Sequence, residues 1–182
     1  MTIISFEGGL GSGKTLGMTF FIVAEHILMN KTVFVNYKLE RIKFHPLDMN
    51  EMLVQMTNLQ DVAIGIDEFH VFCDSRSAGK SRNRLISYFA LQTRKRNVSL
   101  YFTTQFLDQV DKRLRRLVDY RIYCNTVGGD WFQYDMIDLT QTVPSERSFF
   151  LNGKGIYDHY STDEIKDILE EDKPKAKKHQ EI

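Results

Sequence analysis

Apolar runs and helical stretches alternate along the first two thirds of the chain in a regular order. Residues 3–6, Ile3-Ile4-Ser5-Phe6, predict a strand, and Lys14–Met29, rich in apolar side chains and poor in breakers, predicts a helix. Thr32–Val35 follows as a second strand, 48–56 as a short helix, and Val62–Ile66 as a third strand. The near-continuous apolar character of that third strand suits burial on both faces of a sheet. Residues 84–94 place Leu85, Tyr88, Phe89 and Gln92 on one side of a helix; 98–103 is a fourth strand, and 109–117 a helix that is basic on one side.

Strand and helix in repeated succession predict a mostly parallel sheet sandwiched by helices, an α/β fold. The style then changes. Residues 120–126 and 131–137 flank Gly128-Gly129 and predict a β-hairpin, a C-terminal addition to the parallel sheet. A short strand near 155–157 and a helix at 163–169 complete the expected fold. Residues 1–170 read as a single domain, and 171–182, charged and lysine-rich around Pro174, as a disordered tail.

Composition narrows the setting. The chain has 182 residues, 42% hydrophobic and 26% charged, which is globular. Cys73 and Cys124 are far apart without metal-ligand spacing, so reduced thiols are expected. No apolar run approaches the roughly 20 residues of a membrane span, and the N-terminus lacks a signal-peptide pattern. A soluble, cytoplasmic protein is the expectation. Twenty-four Lys and Arg balance twenty-four Asp and Glu, but residues 75–121 hold twelve of the basic residues against Asp108, Asp111 and Asp119, a local net charge of +9. Such a charge map favours a polyanion on one face.

The candidate chemistry starts between the first strand and the first helix. Gly8-Gly9-Leu10-Gly11-Ser12-Gly13-Lys14-Thr15 is the pattern G-x-x-x-x-G-K-T in the strand–loop–helix context it requires. Glycines let the backbone turn several N–H groups towards a phosphate. Lys14 reaches the β- and γ-phosphates, Thr15 offers a hydroxyl to Mg²⁺, and the helix N-terminus faces the anion. ATP is therefore expected on Gly8, Gly9, Leu10, Gly11, Ser12, Gly13, Lys14, Thr15 and Leu16.

The third strand ends in Asp67-Glu68. Beside a phosphate loop, Asp67 suits Mg²⁺ held through water and Glu68 suits the residue that polarises the attacking water. Alone, the same pair reads as surface acids at a turn. Strand C-termini of a parallel sheet line one edge, so Gln105, after the fourth strand, is placed to sense the γ-phosphate or position water. Its bland alternative is a polar helix cap. Phosphoryl transfer also gains from an arginine on the developing charge, often from a neighbouring subunit. Arg94, Arg96, Arg113, Arg115 and Arg116 are candidates. Arg96 comes first: it starts the fourth strand, at the opposite sheet edge from its own nucleotide, so it acts only in trans, in a ring. Solvated helix-end arginines are the alternative. The small polar loop at 74–84 carries Arg76, Lys80, Arg82 and Arg84, candidates for sequence-independent contacts to a DNA backbone. A solvated loop or an inter-subunit surface remains the other reading.

These motifs resemble the FtsK–HerA branch of the additional-strand, catalytic-glutamate P-loop ATPases. The resemblance implies that Gln105 is a sensor and Arg96 a trans-acting finger. Two stretches are similar to the zonula occludens toxin-like group and to packaging ATPases of membrane-containing viruses. One runs from Asn97 through Gln105 into Val110-Asp111-Lys112-Arg113-Leu114-Arg115; the other is 155–164. The resemblance covers roughly residues 2–165. Filamentous-phage members of the toxin-like group usually continue into a membrane span. A bare motor domain of this size resembles a viral genome-packaging ATPase more closely. That family implies a homo-oligomeric ring, commonly a hexamer, threading double-stranded DNA, with a capsid or membrane protein at the portal vertex as a further partner. It implies a location in the host cytoplasm or on the virion.

Three functions follow. The first is a DNA-translocating packaging ATPase. The second is a phage assembly or extrusion ATPase acting on protein or single-stranded DNA with a separate membrane partner. The third is a P-loop small-molecule kinase whose arginine-rich lid is 113–116. Glu68 argues against the kinase, because a water-activating glutamate promotes hydrolysis over transfer.

Overall fold

A computed structural model of the chain describes residues 2–47, 59–72 and 96–160. Its frame is one eight-stranded sheet in the order β3-β2-β4-β5-β1-β6-β7-β8. The strands are β1 (Thr2–Glu7), β2 (Thr32–Val35), β3 (His45–Pro46), β4 (Val62–Ile66), β5 (Val98–Thr104), β6 (Tyr120–Gly128), β7 (Trp131–Asp138) and β8 (Ser145–Asn152). The pairings from β3 to β6 are parallel; β6–β7 and β7–β8 are antiparallel. The described helices are α1 (Lys14–Met29), α2 (Phe69–Phe72) and α3 (Lys112–Arg115). The expected mostly parallel α/β sheet with a C-terminal antiparallel addition is what forms.

The strand sequences explain why both faces are covered. In β5, Val98, Leu100 and Phe102 join Ile3, Val62, Ile64 and Ile66 on one face, packed under Phe69, Leu107, Val110, Leu114 and Val118. Tyr101, Ile4, Phe6 and Ala63 belong to the other face, which packs on Leu16, Met18 and Ile22 of α1. Every residue of β4 and of β5 is buried; in β4 the result is an apolar run without alternation, as a two-sided core demands, while β5 also buries Ser99, Thr103 and Thr104.

Far from the strand C-termini, a buried ion pair fastens α1 to the sheet. Lys31, 3% exposed, donates from Nζ to Glu25 Oε1 at 3.0 Å and to Ser99 Oγ at 2.7 Å.

Several expected elements take a different form. The expected helix at 109–117 is only α3, preceded by a 3-10 turn at Leu107–Gln109 and by an extended Val110. The Asp111 side chain accepts from the Arg113 N–H and so starts a new helix there, which a continuous helix would forbid. The expected strand near 155–157 is instead two 3-10 turns, Gly153–Gly155 and Tyr157–His159. They carry the chain from β8 back to the segment after β2, where Tyr160 bridges Leu39 and the Glu40 N–H donates to the His159 carbonyl at 2.7 Å. β3 and β8 were not expected. The helices expected at 48–56, 84–94 and 163–169, and the tail, lie outside the described residues.

Candidate functional site

The loop from Gly8 to Gly13 leaves the end of β1, beside β5 and β6, and enters α1. Gly8, Gly11 and Gly13 have φ of 155°, 71° and 83°, the region that favours glycine. At Gly13 space adds a second requirement: a Cβ there would lie 2.5 Å from the Phe132 ring. Gly13 is also the N-cap of α1, and no side chain among the described residues caps that end. The first-turn N–H groups of a sixteen-residue helix therefore open onto the loop with the positive end of the helix dipole behind them. Lys14 donates from Nζ to the Gly9 carbonyl at 2.7 Å, which holds the ammonium over the loop. Leu10 is exposed at the loop tip, and the Leu16 side chain is buried in the core, leaving its backbone as the part available to a phosphate. Ser12 Oγ is buried and has no hydrogen-bond partner among the described residues.

The sheet register brings the remaining candidates to this edge. Glu7 stands level with Thr104 and Ile66 with Phe102, so Gln105 follows β5 at the level of Gly8, and Asp67 follows β4 at the level of Thr103. β5 lies between the loop strand and the acid strand. Thr15 Oγ1 donates to the Asp67 carboxylate, 3.1 Å from both oxygens. Glu68 is exposed and Gln105 half-buried at the same edge.

Two residues that pattern reading passed over hold the acid pair. Thr103 Oγ1 donates to Asp67 Oδ1 at 2.5 Å and accepts from the Glu68 N–H at 2.8 Å. Asn36, after β2, donates from Nδ2 to the Asp67 carbonyl at 3.0 Å, and its Oδ1 accepts from the Asp67 N–H at 2.7 Å. These bonds support Glu68 in a left-handed conformation, φ 50°, which costs a non-glycine residue about 1–2 kcal/mol. The signal for both is position alone: a polar side chain at the end of a buried parallel strand.

Arg96 is placed elsewhere. It precedes β5, whose seven residues put about 20 Å between its start and the nucleotide edge. Its carbonyl accepts from the Asp61 N–H at 3.1 Å. Arg113 and Arg115 lie on α3, where Arg115 Nη1 pairs with Asp108 at 3.0 Å. Arg76, Lys80, Arg82, Arg84 and Arg94 lie outside the described residues. Among the described residues no cluster of three His, Cys, Asp or Glu side chains forms a metal site, and no helix is long and apolar enough to cross a membrane.

The family described as zonular occludens toxin (Zot) matches residues 2–136. No curated protein sequence matches the chain. Among solved structures, the N-terminal domain of zonular occludens toxin from Neisseria meningitidis is similar with a TM-score of 0.65 at 18% identity, over 88% of this chain and 98% of that one. The genome packaging NTPase B204 from Sulfolobus turreted icosahedral virus 2, in complex with ATP-gammaS, is similar with a TM-score of 0.58 at 8% identity, over 80% and 96%. The DNA-packaging ATPase B204 from Sulfolobus turreted icosahedral virus is similar with a TM-score of 0.57 at 12% identity, over 80% and 96%. At such identities the structural matches speak for a shared fold.

Proposed function

The chain belongs to the zonular occludens toxin family, and from that premise we propose that it is an ATP hydrolase that works as one subunit of a ring-shaped DNA-translocating motor, of the kind that packages viral genomes. The observation that carries the reading is the convergence at one sheet edge of the phosphate loop, the Thr15–Asp67 contact, Glu68 and Gln105. The virus relatives whose names state genome packaging, one of them holding ATP-gammaS, support it.

In this reading the loop N–H groups and Lys14 bind the phosphates of ATP and neutralise part of their charge. The donor set of Thr15 Oγ1 and the Asp67 carboxylate, hard oxygens already within 3.1 Å of each other, fits Mg²⁺, which would complete its shell with water and phosphate oxygens. Bound there, the ion would offset charge on the β- and γ-phosphates. Glu68 accepts a proton from the attacking water, and its backbone, strained at φ 50°, is tied to Thr103. Gln105 orients the same water or reads the γ-phosphate. Arg96, about 20 Å from its own site, serves the neighbouring subunit's ATP. Arg76, Lys80, Arg82 and Arg84 contact the DNA backbone.

The family match favours a second reading, phage assembly or extrusion, with single-stranded DNA or protein as the load. Phosphate release separates the two. Stimulation by double-stranded DNA at low salt, lost at high salt, supports packaging. DNA-indifferent hydrolysis shifts the load to protein, and stimulation by single strands alone shifts it to extrusion. Glu68→Gln is expected to bind ATP without turning it over; normal turnover by that variant refutes the proposed hydrolysis site.

A further inference from the structure

Beside the phosphate loop, on the sheet face away from α1, lies a pocket of about 360 Å³. Glu7, Gly8, Gly9, Gln105, Asp108 and Arg121 are among the residues that line it, the Asp108 carboxylate being paired with Arg115. It is thus bounded by the first two glycines of the loop and by the glutamine assigned above to the γ-phosphate. The Lys14 ammonium sits on the Gly9 carbonyl at the pocket's border.

The charges here are unusual. Glu7, the residue immediately before Gly8, is only 4% exposed. A buried carboxylate beside a triphosphate site would repel the ligand it adjoins unless neutralised. Arg121 of β6 neutralises it with a two-pronged pair, Nε to Oε1 and Nη2 to Oε2, both at 2.9 Å. Ser5 Oγ donates to the same carboxylate at 3.1 Å. Register explains the meeting: Arg121 stands level with Ser5 and Tyr123 with Glu7, so their side chains share one face. The guanidinium also lies over the Tyr123 ring, 5.3 Å from its centroid. Held on two sides, the group is pre-oriented, and the prongs bound to Glu7 leave Nη1 for the pocket.

We propose that Arg121 is a further catalytic residue, a cation supplied from within the subunit that contacts the terminal phosphate in the Gln105 pocket, with Glu7 as the residue that orients it. This rests on the hydrolysis reading above. The bland alternative is that Arg121 only cancels the charge of Glu7. Removing both charges separates the two, because cancellation is then no longer needed.

The experiment uses the full chain carrying Glu7→Gln with Arg121→Met, with ATPγS as binding probe and phosphate release as readout. Expected are a melting temperature close to the wild type, an ATPγS dissociation constant within about fivefold, and turnover lower by about 100-fold, the loss seen when one preorganised donor to developing charge is removed. Turnover within threefold of wild type overturns the proposal, as does loss of ATPγS binding by the folded double variant. Arg121→Lys, which keeps the charge but not the fork, is the second arm: at least a tenfold fall in kcat at unchanged ATPγS affinity is expected, and a fall under threefold overturns the proposal even where the double variant does not fold. Absence of turnover in the wild type itself would instead sink the hydrolysis reading, and this proposal with it.

Discussion

Thr103→Val tests how the acid pair is held. Thr103 is fully buried, and valine fills the same space, so packing is nearly conserved while the hydroxyl is lost. Two bonds go with it: the one donated to Asp67 Oδ1 at 2.5 Å and the one accepted from the Glu68 N–H at 2.8 Å. A hydrogen bond to a charged group contributes about 1.5–3 kcal/mol, and a backbone N–H left without an acceptor costs about 1–3 kcal/mol. Asp67 is half-buried and Glu68 exposed, so water replaces part of each loss, and the net expectation is about 2–3 kcal/mol of destabilisation. For a domain of this size that is a drop in melting temperature of roughly 5–10 °C. Thr103→Ser keeps the oxygen and loses only a methyl group, so it is expected to cost about 1 kcal/mol. Urea titrations of the three proteins give the stabilities, and phosphate release on folded protein gives turnover. The valine variant is expected to lose turnover by tenfold or more, because Glu68 at φ 50° loses its tether, while the serine variant retains most of it. Equal stability and equal turnover of the valine and serine variants would refute the reasoning.

The remaining predictions concern the loop, the buried pair and the buried thiol. Gly13→Ala places a methyl 2.5 Å from the Phe132 ring on a backbone at φ 83°; strain and overpacking together are expected to cost about 2–4 kcal/mol and to weaken binding of a fluorescent ATP analogue at least tenfold, and unaltered binding would count against the assigned loop conformation. Lys31→Met leaves Glu25 without its cation and is expected to cost about 3–5 kcal/mol in urea titration, most of it regained in Lys31→Met with Glu25→Gln; no regain would show that the pair is not the source. Burial pushes the Cys124 thiol up to about 12. Because the folded chain keeps that proton after the unfolded chain has released it, stability contributed by the group is present below about pH 9 and is lost as pH rises towards 12, by about 1.4 kcal/mol per pH unit. Comparing urea midpoints at pH 8 and pH 10 with those of Cys124→Ala measures this part of the slope, and identical slopes would refute it.

The parts of this molecule legible in the sequence are those whose cause is local. Gly8 to Thr15 announce a phosphate loop because glycine spacing and the lysine are contiguous. Val62–Ile66 announces a central strand because burial on both faces removes alternation. β8 was hidden for the opposite reason: it is an edge strand with every position partly or fully exposed, and its first half, Ser145-Glu146-Arg147-Ser148, carries no apolar residue. The residues that hold the acids and the loop were hidden because register selects them. Thr103, Asn36 and the Glu7–Arg121 pair acquire partners between 31 and 114 residues away, and no short window contains both members.

The antiparallel addition shows the same limit, and it alters the meaning of the glycines. In the sequence, the strands around Gly128-Gly129 read as an appendage to a complete parallel sheet. In the structure β7 lies against the phosphate loop: the buried Tyr134 donates its hydroxyl to the Gly13 carbonyl at 2.8 Å, and Phe132 fills the space a Gly13 side chain would need. The same carbonyl accepts the first bond of α1 from the Gly17 N–H at 2.9 Å. Gly8 is bounded likewise, by the Cys124 carbonyl of β6, 2.6 Å from where its Cβ would stand. Phosphate chemistry alone asks the loop glycines for backbone freedom and close approach to an anion from above. β6 and β7 ask Gly8 and Gly13 for close approach from below. Gly8 and Gly13 are therefore determined twice, and a phosphate-binding loop transplanted without these two strands would keep its motif but not the support that shapes it.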